Sequence, residues 1–448
     1  MKVEPATLRR LKEDGASVFA PHGSDVPPLE DYAYVQEEWI ATGVEAGHPY
    51  ATTLCVRRPR QIDHFSGTVI VEPLHVHGIA PVWIYCAPYL LRSGHAWVEV
   101  TAQKTTLDMH VKPSNPQRYE SLHIDGPDTS DFDPNPRLGD PAAAEFFWSE
   151  LERRNRATSN ILSQVGAALG APAGPFESWN VANLVLAGHS QTGSVITYYI
   201  RDAHRLQRLA DGSPVYNGYF PSGFPFDAFR DVDAPIVQVM SDGDVALPDY
   251  SFRPGYGSRR YRREDCDQPG DQYRLYELAG VPHMGTRNPP YNDVSLWNAQ
   301  FQDEASVTFG PRMNSLPHFE LFSVCLSHLL EWVDKGVAPP RAERIEIGPD
   351  GYFAKDQHGN TRGGFRSVQL EVPHTTYKPN PTRADGVPSH LTVGTDEPFE
   401  PAKLRALYRD PSDYRERFDL RLDQLVDQGW LLAEDADDMR NEAKQIDF

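Results

Sequence analysis

Short runs of β-branched and aromatic residues alternate along this chain with longer stretches whose apolar residues recur at helical spacing. Tyr32–Ile40 and Thr52–Arg58, with Gly43, Gly47 and Pro49 between them, predict an opening antiparallel hairpin. Gly67–Leu74 and Gly94–Ala102 are short apolar runs flanking the helix-length segment Pro81–Leu91, the pattern of a buried parallel βαβ unit. Asp140 followed by Pro141 reads as an N-cap with proline at the first helical position, and Phe146, Leu151, Ile161, Val165 and Leu169 continue in helical register. The predicted strand Val181–Ala187 runs directly into Gly188-His-Ser-Gln-Thr-Gly193. Beyond it Val195, Ile196, Tyr199, Ile200, Leu206 and Leu209 return to helical spacing. Further strands are predicted at Ala234–Met240 and Gln272–Leu278, and a helix at Phe319–Val333. A last helix starts at Asp410-Pro411, turns Tyr414, Phe418, Leu422, Leu425 and Val426 inward, and stops at Gly429. Strands alternating with helices predict an α/β fold, a mostly parallel central sheet covered on both faces. With no internal repeat and no clean linker, residues 1–448 are expected to form one domain, with insertions near 103–140 and 245–270 and an extension over 340–448.

The 448 residues suffice for one large α/β domain. Their 43 Lys and Arg against 63 Asp and Glu leave a net charge of −20, which repels polyanions, so neither nucleic acid nor an anionic membrane is expected as a partner. No stretch approaches the roughly 18 uninterrupted apolar residues of a membrane span, and residues 1–19 lack the apolar centre of a signal peptide. A soluble, cytoplasmic protein is the expectation. Cys55, Cys86, Cys266 and Cys325 lie far apart without a C-x-x-C pair, which fits reduced thiols in a core better than disulfides or zinc.

Between a buried strand and a helix, Gly188-His-Ser190 has the context of a nucleophile elbow, a tight turn that lifts a serine hydroxyl above the sheet edge. The elbow pattern wants glycine two places after the serine; here Thr192 stands there and Gly193 comes next. A serine needs a base to take its proton and an acid to orient that base, in the chain order serine, acid, histidine. Asp244, just past the strand 234–240, is the first choice for the acid, Asp242 the second and Asp227 a weaker third. His283, beside Gly280, Pro282 and Gly285 after the strand 272–278, is the expected base. The oxyanion of acyl transfer calls for two amide donors, Gln191 by its position after the nucleophile and Leu74 or His75 after the early strand, since Pro73 cannot donate. On an extended segment His75 and His77 would share a face, which opens a second reading as a metal-dependent hydrolase. No third ligand motif is visible near them, and neither metal nor cofactor is expected.

The early strand Val69-Ile-Val-Glu-Pro-Leu-His-Val76, the elbow Gly188-His-Ser-Gln-Thr192, and the segments Gly94–Val98, Glu277–His283, Asp356–Gly364 and Tyr414–Glu434 together resemble the bacterial α/β-hydrolase-domain family of presumed serine hydrolases with a G-x-S-Q-[ST] elbow. The similarity spans roughly residues 30 to 446, and departs at Pro73 and His75, where an aromatic residue and an asparagine are expected. The resemblance implies an α/β-hydrolase fold and a serine nucleophile. The resulting expectation is a serine hydrolase acting on a small carboxylic ester or lactone, with a catalytically silent binding protein of the same fold as the rival class. Aromatic residues expected to border the site, namely Trp83, Tyr85, Tyr89, Tyr250, Phe252, Tyr256 and Tyr291 with Pro289 and Pro290, favour an apolar or aromatic substrate. Assembly as a homo-oligomer stays open.

Overall fold

The computed structural model describes residues 2–12, 17–19, 26–126, 141–171, 174–225, 228–245, 259–287, 289, 291–300, 307–383, 389 and 393–448. Because Val69, Ile70 and Val71 are β-branched or apolar on both sides of the pleat, they need cover on both faces, and all three are completely buried. They belong to β4 (Thr68–Pro73) of a nine-stranded sheet that also holds β1 (Thr7–Arg10), β2 (Tyr34–Glu45), β3 (His48–Pro59), β5 (Ala96–Val100), β6 (Asn183–His189), β7 (Gly218–Ser222), β8 (Ile236–Ser241) and β9 (Tyr273–Leu278). The strand order is β1-β2-β3-β5-β4-β6-β7-β8-β9. Pairing is antiparallel from β1 to β5 and parallel from β5 onward, so the sheet is mostly parallel, as the alternating pattern predicts.

Helices cover both faces. The crossover helix α1 (Pro81–Arg92) packs beside the later helix His318–Lys335, while α2 (Pro141–Leu169) packs on α3 (Gln191–Tyr198), the helix directly after β6. We label His318–Lys335 α4. Three local expectations change. The hairpin strands run through Gly43 and Pro49, and the turn is only Ala46-Gly47, both at positive φ (49° and 89°), as a two-residue hairpin requires. Leu206 is 63% exposed because α3 gives way to a wide π-type turn over Tyr199–Ala203, and the extra residue per turn rotates the next positions off the buried face. Phe146 is likewise 56% exposed, on the outer side of α2; the side chain of Leu151, and Asp140 before the helix, lie outside the described residues.

Strand β7 escapes the hydrophobic pattern. Its five residues include Pro221 and resemble a loop, yet they fill the space between β6 and β8 and are buried throughout. Arg312–Met313, just before α4, forms a small three-stranded antiparallel sheet with Thr395–Pro398 and Thr375–Lys378 beyond it, and the sequence concealed this sheet too. In α5 (Pro411–Asp427) the Asp410 carboxylate accepts the Asp413 amide at 2.9 Å, the expected N-cap, and Gly429 has φ 75° just past the helix end. Tyr414, Phe418, Leu422 and Leu425 pack against Ala436 and Met439 of α6 (Ala433–Ala443). Trp430 lies tilted against Phe365 and meets Tyr276 and His328 edge-on, joining this segment to the main core. Cys55, Cys86 and Cys325 are buried free thiols and Cys266 is half-buried. Among the described residues no helix is long and apolar enough to cross a membrane.

Candidate active site

The elbow is a strained turn. At the end of β6, Ser190 adopts φ 59° and ψ −122°, a conformation that side-chain-bearing residues avoid. Two close approaches fix it. A Cβ on Gly188 would come within 2.6 Å of the Thr192 carbonyl oxygen, and one on Gly193 within 2.1 Å of the Ser222 carbonyl oxygen, while the Ser190 amide donates to that same oxygen at 3.0 Å. Thr192 sits without strain where the pattern wants glycine: its hydroxyl accepts the His189 amide (2.9 Å) and donates to the His189 carbonyl (2.8 Å). The glycine one place later supplies the clearance against β7. Gln191 N is then the first amide of α3, one of the donors a helix leaves unsatisfied at its start.

Ser190 Oγ lies 2.8 Å from His283 Nε2, and His283 Nδ1 is hydrogen-bonded to Asp244 Oδ1. Asp244 belongs to a single helical turn, Asp242–Val245, directly after β8, and its Oδ2 accepts the Ser241 amide at 2.6 Å. Burial pushes the Asp244 carboxyl up, but His283, His189 and the Ser241 amide outweigh it and hold the group below its ordinary range, so it is ionised. An ionised acceptor at Nδ1 puts the imidazole proton there, leaving the Nε2 lone pair facing the serine hydroxyl. Asp242 points elsewhere. Its Oδ2 accepts the Gly280 amide at 3.0 Å and the Thr361 hydroxyl, pinning the His283 loop and the 355–361 stretch to the end of β8. Asp227 lies outside the described residues, as do Tyr250, Phe252, Tyr256 and Pro290.

The expected second oxyanion donors are not free. Leu74 N continues the parallel ladder onto β5, donating to Val100 O at 2.8 Å, and His75 N donates to Ile79 O at 2.9 Å, because the chain curls into a turn directly after it. The same turn replaces the extended segment on which His75 and His77 were expected to share a face: Gly78 N closes on His75 O (2.8 Å), and the two rings stack at 4.8 Å. Among the described residues no three His, Cys, Asp or Glu side chains gather as metal ligands.

Two histidines that the sequence did not single out border the site. His189 stacks on His283 at 4.6 Å, and its Nε2 donates to the His283 carbonyl at 3.1 Å. His318 stacks on Phe322 at 4.7 Å and lies 4.5 Å from the Tyr85 ring. Of the expected aromatic border, Tyr85 joins this cluster, whereas Trp83 packs in the core on Trp97 beneath Arg57 and Tyr89 faces His95. Tyr291 is 38% exposed and packs on Trp297.

Burial, reinforced by His283, lowers His318 to about 3, and burial likewise lowers His95 and His374 to about 4. An unfolded histidine titrates near pH 6.5, so between those values the unfolded chain holds a proton that the folded protein does not, and stability falls as pH drops through that window by up to about 1.4 kcal/mol per pH unit per histidine. We expect His318→Phe, which keeps the stacked ring, to lose less stability between pH 7 and pH 5 than wild type does in urea melts. Equal losses would exclude His318 as a contributor.

No curated protein matches the chain in sequence. Among solved structures, a ferulic acid esterase from Streptomyces cinnamoneus is 14% identical, with a TM-score of 0.38 over 73% of this chain and 95% of that one. LpqC, a poly(3-hydroxybutyrate) depolymerase from Bordetella parapertussis, is 12% identical, with a TM-score of 0.33 over 70% of this chain and 93% of that one. Residues 26–441 match the family described as an alpha/beta hydrolase domain, and the chain belongs to that family.

Proposed function

We propose that the protein is a serine hydrolase that cleaves a carboxylic ester or lactone through an acyl-enzyme intermediate. The observation that carries this reading is the unbroken hydrogen-bonded chain from Ser190 Oγ through the His283 ring to Asp244. Membership of a hydrolase family supports it. Ser190 Oγ attacks the carbonyl carbon as its proton passes to His283 Nε2, and Asp244 stabilises the imidazolium that results. Collapse of the tetrahedral intermediate expels the alkoxide oxygen, which takes the proton held at Nε2 and leaves as the alcohol. Water then attacks the acyl group with His283 again as base, and Ser190 is released. Gln191 N donates to the oxyanion in both halves.

The net charge of −20 disfavours anionic substrates, and the Tyr85–Phe322 cluster behind His189 and His318 makes that side of the site aromatic and uncharged. A panel of p-nitrophenyl esters of rising acyl length, run beside aromatic and anionic esters, tests both points. Turnover is expected to be fastest on medium apolar or aromatic acyl groups. Fastest turnover on a dicarboxylate or phosphorylated ester would overturn the substrate assignment, and turnover of none of them the hydrolase assignment.

A further inference from the structure

Five successive backbone amides in the loop after β4 are already engaged. Besides Leu74 N and His75 N, Val76 N donates to Gln191 Oε1 (3.3 Å), His77 N to His75 Nδ1 (3.1 Å) and Gly78 N to His75 O (2.8 Å). This is the loop from which an α/β-hydrolase elbow draws its second oxyanion donor. The neighbouring side chains are tied into the same network. Gln191 Nε2 donates to Gln103 Oε1 (2.7 Å), Gln103 Nε2 to Leu74 O (3.0 Å) and Gln191 Oε1 (3.1 Å), and the Thr106 hydroxyl reaches Leu74 O and His75 O, each at 3.3 Å. His110 Nε2 is taken by Val76 O at 2.6 Å.

The loop itself carries a further donor. Since His75 Nδ1 accepts the His77 amide, the proton of the neutral ring is on Nε2. That N–H has no acceptor among the described residues, although His75 is only 6% exposed. The loop is tied to the elbow through Val76 N and Gln191 Oε1, which sets His75 next in sequence to the contact with the residue after the nucleophile. Burial, with His77, His283 and His110 close by, holds the imidazole well below its ordinary range, so it stays a neutral donor.

We propose that the Nε2–H of His75 is the second oxyanion donor, partnering Gln191 N, so that a side chain performs what the backbone of this loop cannot. The inference rests on the serine-hydrolase reading. As the Ser190 Oγ–carbon bond forms, the carbonyl π electrons move onto oxygen, the serine proton passes to His283 Nε2, and His75 keeps its own proton while sharing it with the oxyanion in a hydrogen bond. Such a bond strengthens in the transition state, which locates the effect in kcat and not in KM.

The test is steady-state hydrolysis of p-nitrophenyl butyrate by wild type, His75→Phe and His75→Gln, with thermal melts to establish folding and His75→Leu as the donor-free variant should His75→Phe not fold. The donor-free variant is expected to lose about 10²–10³-fold in kcat with KM changed by less than about threefold. Glutamine, which restores an N–H at the reach of Nε2, is expected to recover at least about tenfold of that loss. Phosphonylation of Ser190 by a fluorophosphonate probe should slow in parallel, because that reaction also builds charge on an oxygen. Unchanged kcat in the donor-free variant, or equal losses in it and His75→Gln, would overturn the proposal while leaving the serine-hydrolase reading intact. A wild type that neither hydrolyses the ester nor reacts with the probe would end both.

Discussion

Ser190→Ala is expected to lower kcat by about six orders of magnitude and to abolish covalent labelling by a fluorophosphonate, the loss seen when a serine nucleophile is removed from an intact triad. The size of the effect comes from the elbow. Strain at φ 59° is maintained by Gly188, Gly193 and the Ser222 carbonyl, and the turn it produces leaves the hydroxyl 2.8 Å from His283 Nε2. Alanine keeps the backbone turn and removes only the attacking atom, so the melting temperature should stay near that of wild type. Labelling of Ser190→Ala at the wild-type rate would mean that the probe reacts elsewhere and that Ser190 is not the nucleophile.

Asp244→Asn is expected to reduce kcat by about 10⁴-fold. An asparagine amide can donate to Nδ1, which drives the ring proton to Nε2, where it blocks acceptance of the serine proton. Asp242→Asn is expected to cost less than about tenfold in kcat but to lower the melting temperature, because a buried acceptor of the Gly280 amide and the Thr361 hydroxyl is weakened. Measured side by side, the two variants separate orientation of His283 from anchoring of its loop. The opposite ranking would transfer the orienting role to Asp242, and full activity in both would bring Asp227 forward.

The features legible from the amino-acid order are those encoded within about a dozen residues. Asp410 three places before the Asp413 amide, Gly429 after an amphipathic stretch, and the short apolar runs Val69–Val71 of β4 and Leu184–Ala187 of β6 each carry their signal locally, through capping, left-handed backbone and two-sided burial. The same holds for the order Ser190, Asp244, His283, each placed just after a strand; parallel strands bring their carboxyl ends to one edge, and the three side chains meet there. Where a contact joins distant residues, sequence pattern carries no trace of it. Leu206 turns outward because of a wide turn three residues earlier, β7 is a strand only because β6 and β8 leave a gap for it, and Asp242 is occupied by Thr361 from 119 residues away. The oxyanion loop shows the difference most sharply. From composition Leu74 and His75 are amides in the right place, but whether an N–H is free depends on Val100, Ile79 and Gln191 reaching it, and a hydrogen-bond donor can be spent only once. His189 and His318 remained invisible for the same reason: a histidine's neighbours set its charge, and for these two the neighbours are His283, Phe322 and Tyr85, assembled from four separate segments by folding alone.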